Sequence, residues 1–303
     1  MIVQTDVDGD KAAQSGAALG DRRAHPGGPA ITALPKAAAP ARLGRIDLMP
    51  SAFLPPRMPK PRPAADFSVA ASASLAARFR AVGYDLPSVL AGRRPVPRLL
   101  LGTLPADWSA ATAGRARKTL FVQTVLPLVL EVNRSILSDR RRLRELAGGG
   151  TVTAADKRWI RALAQTYRSG RADPDALLWR VDVVPPSVAL AQAALESGWG
   201  ASRFAAEGNA LFGQWTWSPE AGLAPAGRDA EDGRRIAVKT FPQLLNSVEA
   251  YMLNLNRQEA YADFRRRRSD LRALGMAVSG NHLMPGLTRY SVEIGRASCR
   301  ERV

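Results

Sequence analysis

Residues 188–215 read VALAQAALESGWGASRFAAEGNALFGQW. Pro185, Pro186 and Ser187 come just before them. Proline is tolerated at the first turn of a helix and serine can cap one, so this is a strong helix start. On that helix Glu196 neighbours Gln192, Ala193, Trp199 and Gly200, with Ala189 two turns back. No Lys or Arg stands at salt-bridge spacing. Small side chains clear a dry, roomy niche around one carboxyl group, and Trp199 walls it. Loss of hydration raises a carboxylic acid's pKa, as a general acid requires. The alternative is a glutamate paired by a more distant cation such as Arg203.

The stretch 203–215 sets Gly208 and Gly213 among polar and aromatic residues. Asn209, Gln214, Trp215 and Trp217 are the residue types of a sugar-binding cleft. Amides meet hydroxyls, and flat rings meet sugar faces. The competing reading is that these aromatics cap the core.

Around this segment the chain reads as mainly helical. A helical pattern runs over 114–146, with Leu126, Leu130, Asn133 and Leu137 on one side and Arg140–Arg142 as a solvated basic turn. Thr153 starts another helix over 154–168, and DPDALLWRVD gives a third. RRIAVKTF (234–241) is the one convincing strand, entered by AEDG as a hairpin turn. Helices follow over 244–256 and 261–274, and Arg265–Arg268 reads as a solvent-facing turn. Residues 68–82 fit a short helix, and 83–108 pack as irregular structure.

Hydrophobic residues make up 46% of the 303, enough for a sizeable core. The formal net charge is +16, which favours anionic partners or reflects an Arg-rich composition. The arginines are scattered along helical segments without interleaved aromatics, which argues against specific nucleic-acid binding. One cysteine, Cys299, and two histidines, His25 and His282, disfavour disulfides and metal sites. LFVQTVLPLVLEV (120–132) is the longest apolar run, but Gln123 and Pro127 interrupt it, so it fits a buried helix. No signal peptide or transmembrane helix is visible.

At this point the chain resembles a known family. VALAQAALESGWGASRFAAEGNALFGQW, followed by AVKTF, SVEAYMLNLN, AYADFR and GLTRYS, is similar to the Bax-like glucosaminidases. These belong to the peptidoglycan-cleaving glucosaminidase superfamily, glycoside hydrolase family 73. The resemblance runs over about 118–291 in order, and VGYDLPSVLAGRRPVPRLLLGTLP resembles the segment that precedes this domain in relatives. It implies a mainly α (α+β), lysozyme-like glucosaminidase domain with a small β-hairpin lobe. The implied reaction is hydrolysis of the β-1,4 bond after N-acetylglucosamine in peptidoglycan glycan strands. Glu196 matches the family's catalytic glutamate, acting as general acid, and no cofactor or metal is implied.

By position, a second carboxylate would be Glu231, then Asp232 or Asp229; each also suits a hairpin turn. Trp199, Asn209, Gln214, Trp215, Tyr261 and Tyr290 are the expected substrate-binding residues. Tyr261 and Tyr290 match aromatic positions of the family and either line the site or pack, while Tyr251 reads as core. The chain departs from the family at Ala210, commonly asparagine, and at Thr216, cysteine in some relatives.

The expected organisation is a disordered Pro/Ala/Arg-rich linker over 1–66, a family-associated segment over 67–115 and the catalytic domain over 116–292. EIGRASCRERV (293–303) resembles a translated sequencing adapter fused to a truncated frame. The implied substrate places the protein in the cell envelope or periplasm, and the basic linker suits an anionic membrane or wall surface. A lytic transglycosylase and a non-catalytic peptidoglycan-binding module are the alternatives.

Overall fold

A 34-residue helix, Gly114–Ala147, contributes many of the residues of the hydrophobic core. The computed structural model describes residues 65–111, 113–149, 151–216, 222–224 and 237–287. All of them fall in one of the chain's two compact units, Pro59–Val303. In chain order the elements are β1 (Ala65–Phe67), α1 (Ser72–Ala81), α2 (Leu86–Leu90), β2 (Leu99–Leu101) and α3 (Trp108–Ala111). The long helix is α4, followed by α5 (Ala154–Thr166), α6 (Pro174–Leu178), α7 (Pro186–Ser197) and α8 (Arg203–Gly208). Next come β3 (Trp215–Thr216), β4 (Gly222–Leu223), β5 (Ala237–Lys239), α9 (Leu244–Arg257), α10 (Ala262–Ala273) and α11 (Gly280–Leu283). Short 3-10 turns cover Glu259–Tyr261 and Met284–Leu287.

The architecture is mainly α with a small β-lobe, as the resemblance implies. The lobe is a three-stranded antiparallel sheet in the order β3-β5-β4, with Trp215 opposite Val238 and Leu223 also opposite Val238. The strand expected over 234–241 is therefore its centre. The AEDG turn and residues 234–236 lie outside the described residues, as do 1–64 and 288–303. A second, parallel pair, β1-β2, was not anticipated. Three-residue strands in a Pro-rich stretch are too short to show a period.

Helix α4 packs against α6, α7, α9 and β2. Its buried positions include Phe121, Val125, Leu128, Val129, Val132, Ile136 and Leu143. This corrects the expected stripe: Leu126 and Leu130 are only half-buried and Leu137 is exposed. Apolar residues surround this helix, so the period alone does not fix which side faces inward. By length and composition α4 also contains a window apolar enough to cross a membrane, yet 61% of that window is buried by neighbouring elements. It is the core helix of a folded domain. Residues of 65–111 and of the later helices share that one core.

The two basic runs expected to be solvated are so only in part: Arg141, Arg142, Arg266 and Arg267 are exposed. Arg265 and Arg268 are 0% and 1% exposed, and Arg140 is buried. Helical geometry sends residues three apart to one side. Arg266 and Arg267 stay outside and pair with Asp263. Arg268 Nη1 donates to the carbonyls of Asp182 (3.0 Å) and Val183 (2.9 Å), and to Asn256 Oδ1 (2.7 Å). Arg140 donates to the carbonyls of Leu178 and Val181. At the hub lies the buried Asp182 carboxylate, 2.9 Å from Arg272, 3.5 Å from Arg140 and 3.8 Å from Arg268.

Candidate active site

The segment leading into α7 is held rigidly on both sides. Asn133 of α4 donates to the carbonyl of Val184 at 2.8 Å and accepts from its N–H at 3.0 Å. Asn256 of α9 donates to the Asp182 carbonyl at 2.9 Å. Pro186 then occupies the first turn, where its missing N–H costs nothing. Ser187 makes no cap at this end, contrary to expectation. Val188, Ala189, Ala193 and Ala194 are buried, so the alanine run is the face on which α7 packs. Alanine lets α7 lie close to α4.

Glu196 lies in the last turn of α7 and is solvent-exposed. This corrects the reading of a dry niche: the alanines line the core and leave the carboxyl accessible. Desolvation on its inner side still raises its pKa above the ordinary glutamate value. Gly213 supplies part of that inner wall, since a Cβ there would stand 3.6 Å from Glu196 Oε2. Arg203 does not pair with Glu196; it meets Glu207 at 3.4 Å, donates to the Ala224 carbonyl and lies over the Phe204 ring. Among the described residues no hydrogen bond or ion pair engages Glu196.

The turn after Glu196 explains SGWG. Gly198, Trp199 and Gly200 all have positive φ, at 56°, 59° and 80°. Glycine adopts this region freely, but a tryptophan there is strained by about 1–3 kcal/mol. Several contacts hold it. Trp199 N–H donates to the Ala194 carbonyl at 2.9 Å, and its ring meets Phe121 edge-on at 5.7 Å. Lys118 Nζ sits over that ring. Ser197 Oγ is buried, donating to the Ala193 carbonyl (2.6 Å) and accepting from Gly200 N–H (2.8 Å). The serine after the glutamate thus fastens the turn.

Beneath Glu196 lies a buried polar-aromatic platform. The Tyr251 hydroxyl donates to Gln192 Oε1, one turn before Glu196. Phe212 stacks on Tyr251 with centroids 3.9 Å apart and planes at 5°. Burial raises the Tyr251 pKa far above normal, and the nearby Tyr261 and Glu196 raise it further. Tyr251 is core, as expected. Reading along one helix at a time missed Gln192 and Tyr251, because their pairing joins residues 59 apart in the chain.

The loop between α8 and the sheet carries the other expected residues. Asn209 caps α8 in the left-handed conformation, φ 53°. Its amide donates to the carbonyls of Phe241 (2.9 Å) and Pro242 (3.3 Å). Among the described residues, Asn209 Oδ1 and Gln214 Oε1 are buried acceptors without a hydrogen-bond partner. Trp215 lies half-buried in β3, and Tyr261 is buried at the 3-10 turn after α9. Ala210, at the position where relatives commonly have asparagine, packs with Val238 and Phe241 in a small apolar cluster. Trp217, Asp229, Glu231, Asp232 and Tyr290 lie outside the described residues. Among the described residues no group of three or more His, Cys, Asp or Glu side chains is placed to hold a metal ion.

A family model described as mannosyl-glycoprotein endo-beta-N-acetylglucosaminidase matches residues 177–281, from α6 into α11. Protein bax of Escherichia coli (strain K12) is 33% identical over 187 residues, covering 60% of this chain. The chain spans 66% of the length of that curated relative. No solved structure matches the chain.

Proposed function

Because this chain is a Bax-like protein with a glucosaminidase domain, we propose that it cleaves β-1,4 bonds after N-acetylglucosamine in peptidoglycan glycan strands. Glu196 is the general acid. The observation that carries this reading is an accessible carboxyl group with a raised pKa and no cationic partner among the described residues. In the reaction its proton goes to the glycosidic oxygen as the bond from the sugar's anomeric carbon breaks, and water adds at that carbon. Glu231, between β4 and β5 in the chain, is the candidate group to activate that water.

Asn209 and Gln214 are the candidate amide contacts for the sugar. Trp199, Trp215 and Tyr290 are the candidate ring contacts, while Tyr261 is buried and packs in the core. A site for peptidoglycan implies action in the cell envelope, with the basic segment 1–66 favouring anionic wall or membrane surfaces.

The test is digestion of purified cell wall, with products identified by mass spectrometry. New reducing N-acetylglucosamine ends are expected. Anhydro-sugar ends would instead identify a lytic transglycosylase. Wall binding without any new ends would identify a binding module.

A further inference from the structure

We propose that Trp108 is a positioning residue for Glu196, acting through the left-handed turn Gly198–Gly200 that ends the glutamate's helix. The inference rests on the reading of Glu196 as the acid. Trp108 opens α3, well upstream of the segment 177–281 that the glucosaminidase family model matches. Its side chain is completely buried. The indole Nε1–H donates to the Trp199 carbonyl at 2.9 Å, across 91 residues of sequence. The next residue, Ser109, donates through Oγ to the Ala201 carbonyl at 3.3 Å. Two successive residues of α3 therefore hold two carbonyls of the turn.

The fit is close. A Cβ on Gly200 would stand 2.7 Å from Trp108 Nε1 and 3.1 Å from Leu104 Cδ1. Glycine is required at Gly200 both by φ and by the indole packed on it. Three consecutive positive-φ residues, one of them a tryptophan, hold that shape only if their surroundings fix it. Ser197 Oγ fixes the turn from within α7, and Trp108 fixes it from outside. Glu196 is the residue immediately before this clamp, so the direction of its carboxyl group depends on it.

The upstream segment is itself anchored. Asp107 accepts from the Ser72 N–H and Oγ, each at 2.8 Å, and Gly102 accepts from the N–H of Leu244 at the start of α9 at 2.9 Å. The brace is thus tied to the helix that carries Tyr251.

The experiment compares the full chain with Trp108→Phe, and with benzothienylalanine placed at Trp108, which keeps the bicyclic shape and lacks the N–H. Two readouts are taken: the carboxyl titration of Glu196 by carbon-13 NMR, assigned with Glu196→Gln, and kcat and KM on purified wall. The expected result is a displaced Glu196 titration, with kcat about five- to tenfold lower and KM within about twofold. A titration superimposable on that of the unaltered protein overturns the proposal, as does a lower Tm with titration and kcat both unchanged. The titration reads the brace even if the protein releases no sugar ends. Failure of the glucosaminidase reading is then distinct from failure of this one.

Discussion

The Tyr251 hydroxyl donates to Gln192 Oε1 inside the core, one helical turn before Glu196 on α7. The bond joins α9 to α7. Tyr251→Phe keeps the stack on Phe212 but leaves a buried amide oxygen unpaired. The expected loss is about 1–3 kcal/mol, a fall in Tm of several degrees. Thermal unfolding checks it; an unchanged Tm means that the bond contributes nothing.

Asp182 faces three arginines from two helices, Arg140 of α4 and Arg268 and Arg272 of α10. Burial pushes its pKa up, but the hydrogen bond from Arg272 and the charges of Arg268 and Arg140 outweigh this and leave it lowered. A lowered folded-state pKa gives stability that is present above the unfolded carboxylate value. It is lost as pH falls through the folded one. Asp182→Asn removes the counter-charge and should cost about 3–5 kcal/mol at neutral pH. The variant's stability should also change less with acid than that of the unaltered protein. Denaturant unfolding at neutral and acid pH measures both effects.

Gly213 has φ 57° and faces Glu196. Gly213→Ala places a methyl group in van der Waals contact with the carboxyl, 3.6 Å from Glu196 Oε2, and forces a non-glycine residue into the left-handed region. The strain is about 1–2 kcal/mol. Wall cleavage should fall about tenfold or more, with a modest loss of Tm. Equal cleavage rates would show that the loop does not constrain Glu196.

Much of this was legible in the sequence, for identifiable reasons. The start of α7 is written in Pro185-Pro186, and the capping box of α5 in Thr153 and Asp156. Glu196 is marked by having no cation at helical spacing. What could not be read depends on contacts between distant segments. Arg265 and Arg268 look like surface residues until carbonyls from another part of the chain are brought to them. Trp199 is legible as a ring next to Glu196, but the edge-on contact with Phe121 that holds it is not. Ala193 and Ala194 clear space for helix packing, where the sequence suggested space around the carboxyl group.

The central claim is that Glu196 donates the proton. A general acid works only while protonated, so cleavage should be present below its folded-state pKa and lost as pH rises through it. Because that pKa is raised, the loss comes at higher pH than for an ordinary glutamate. The most direct measurement is the pH profile of wall cleavage by the full chain and by Glu196→Gln. The account predicts a rate about 10²–10⁴-fold lower for the variant, with that alkaline limb gone. A variant that cleaves wall at the unaltered rate, with the same profile, contradicts it.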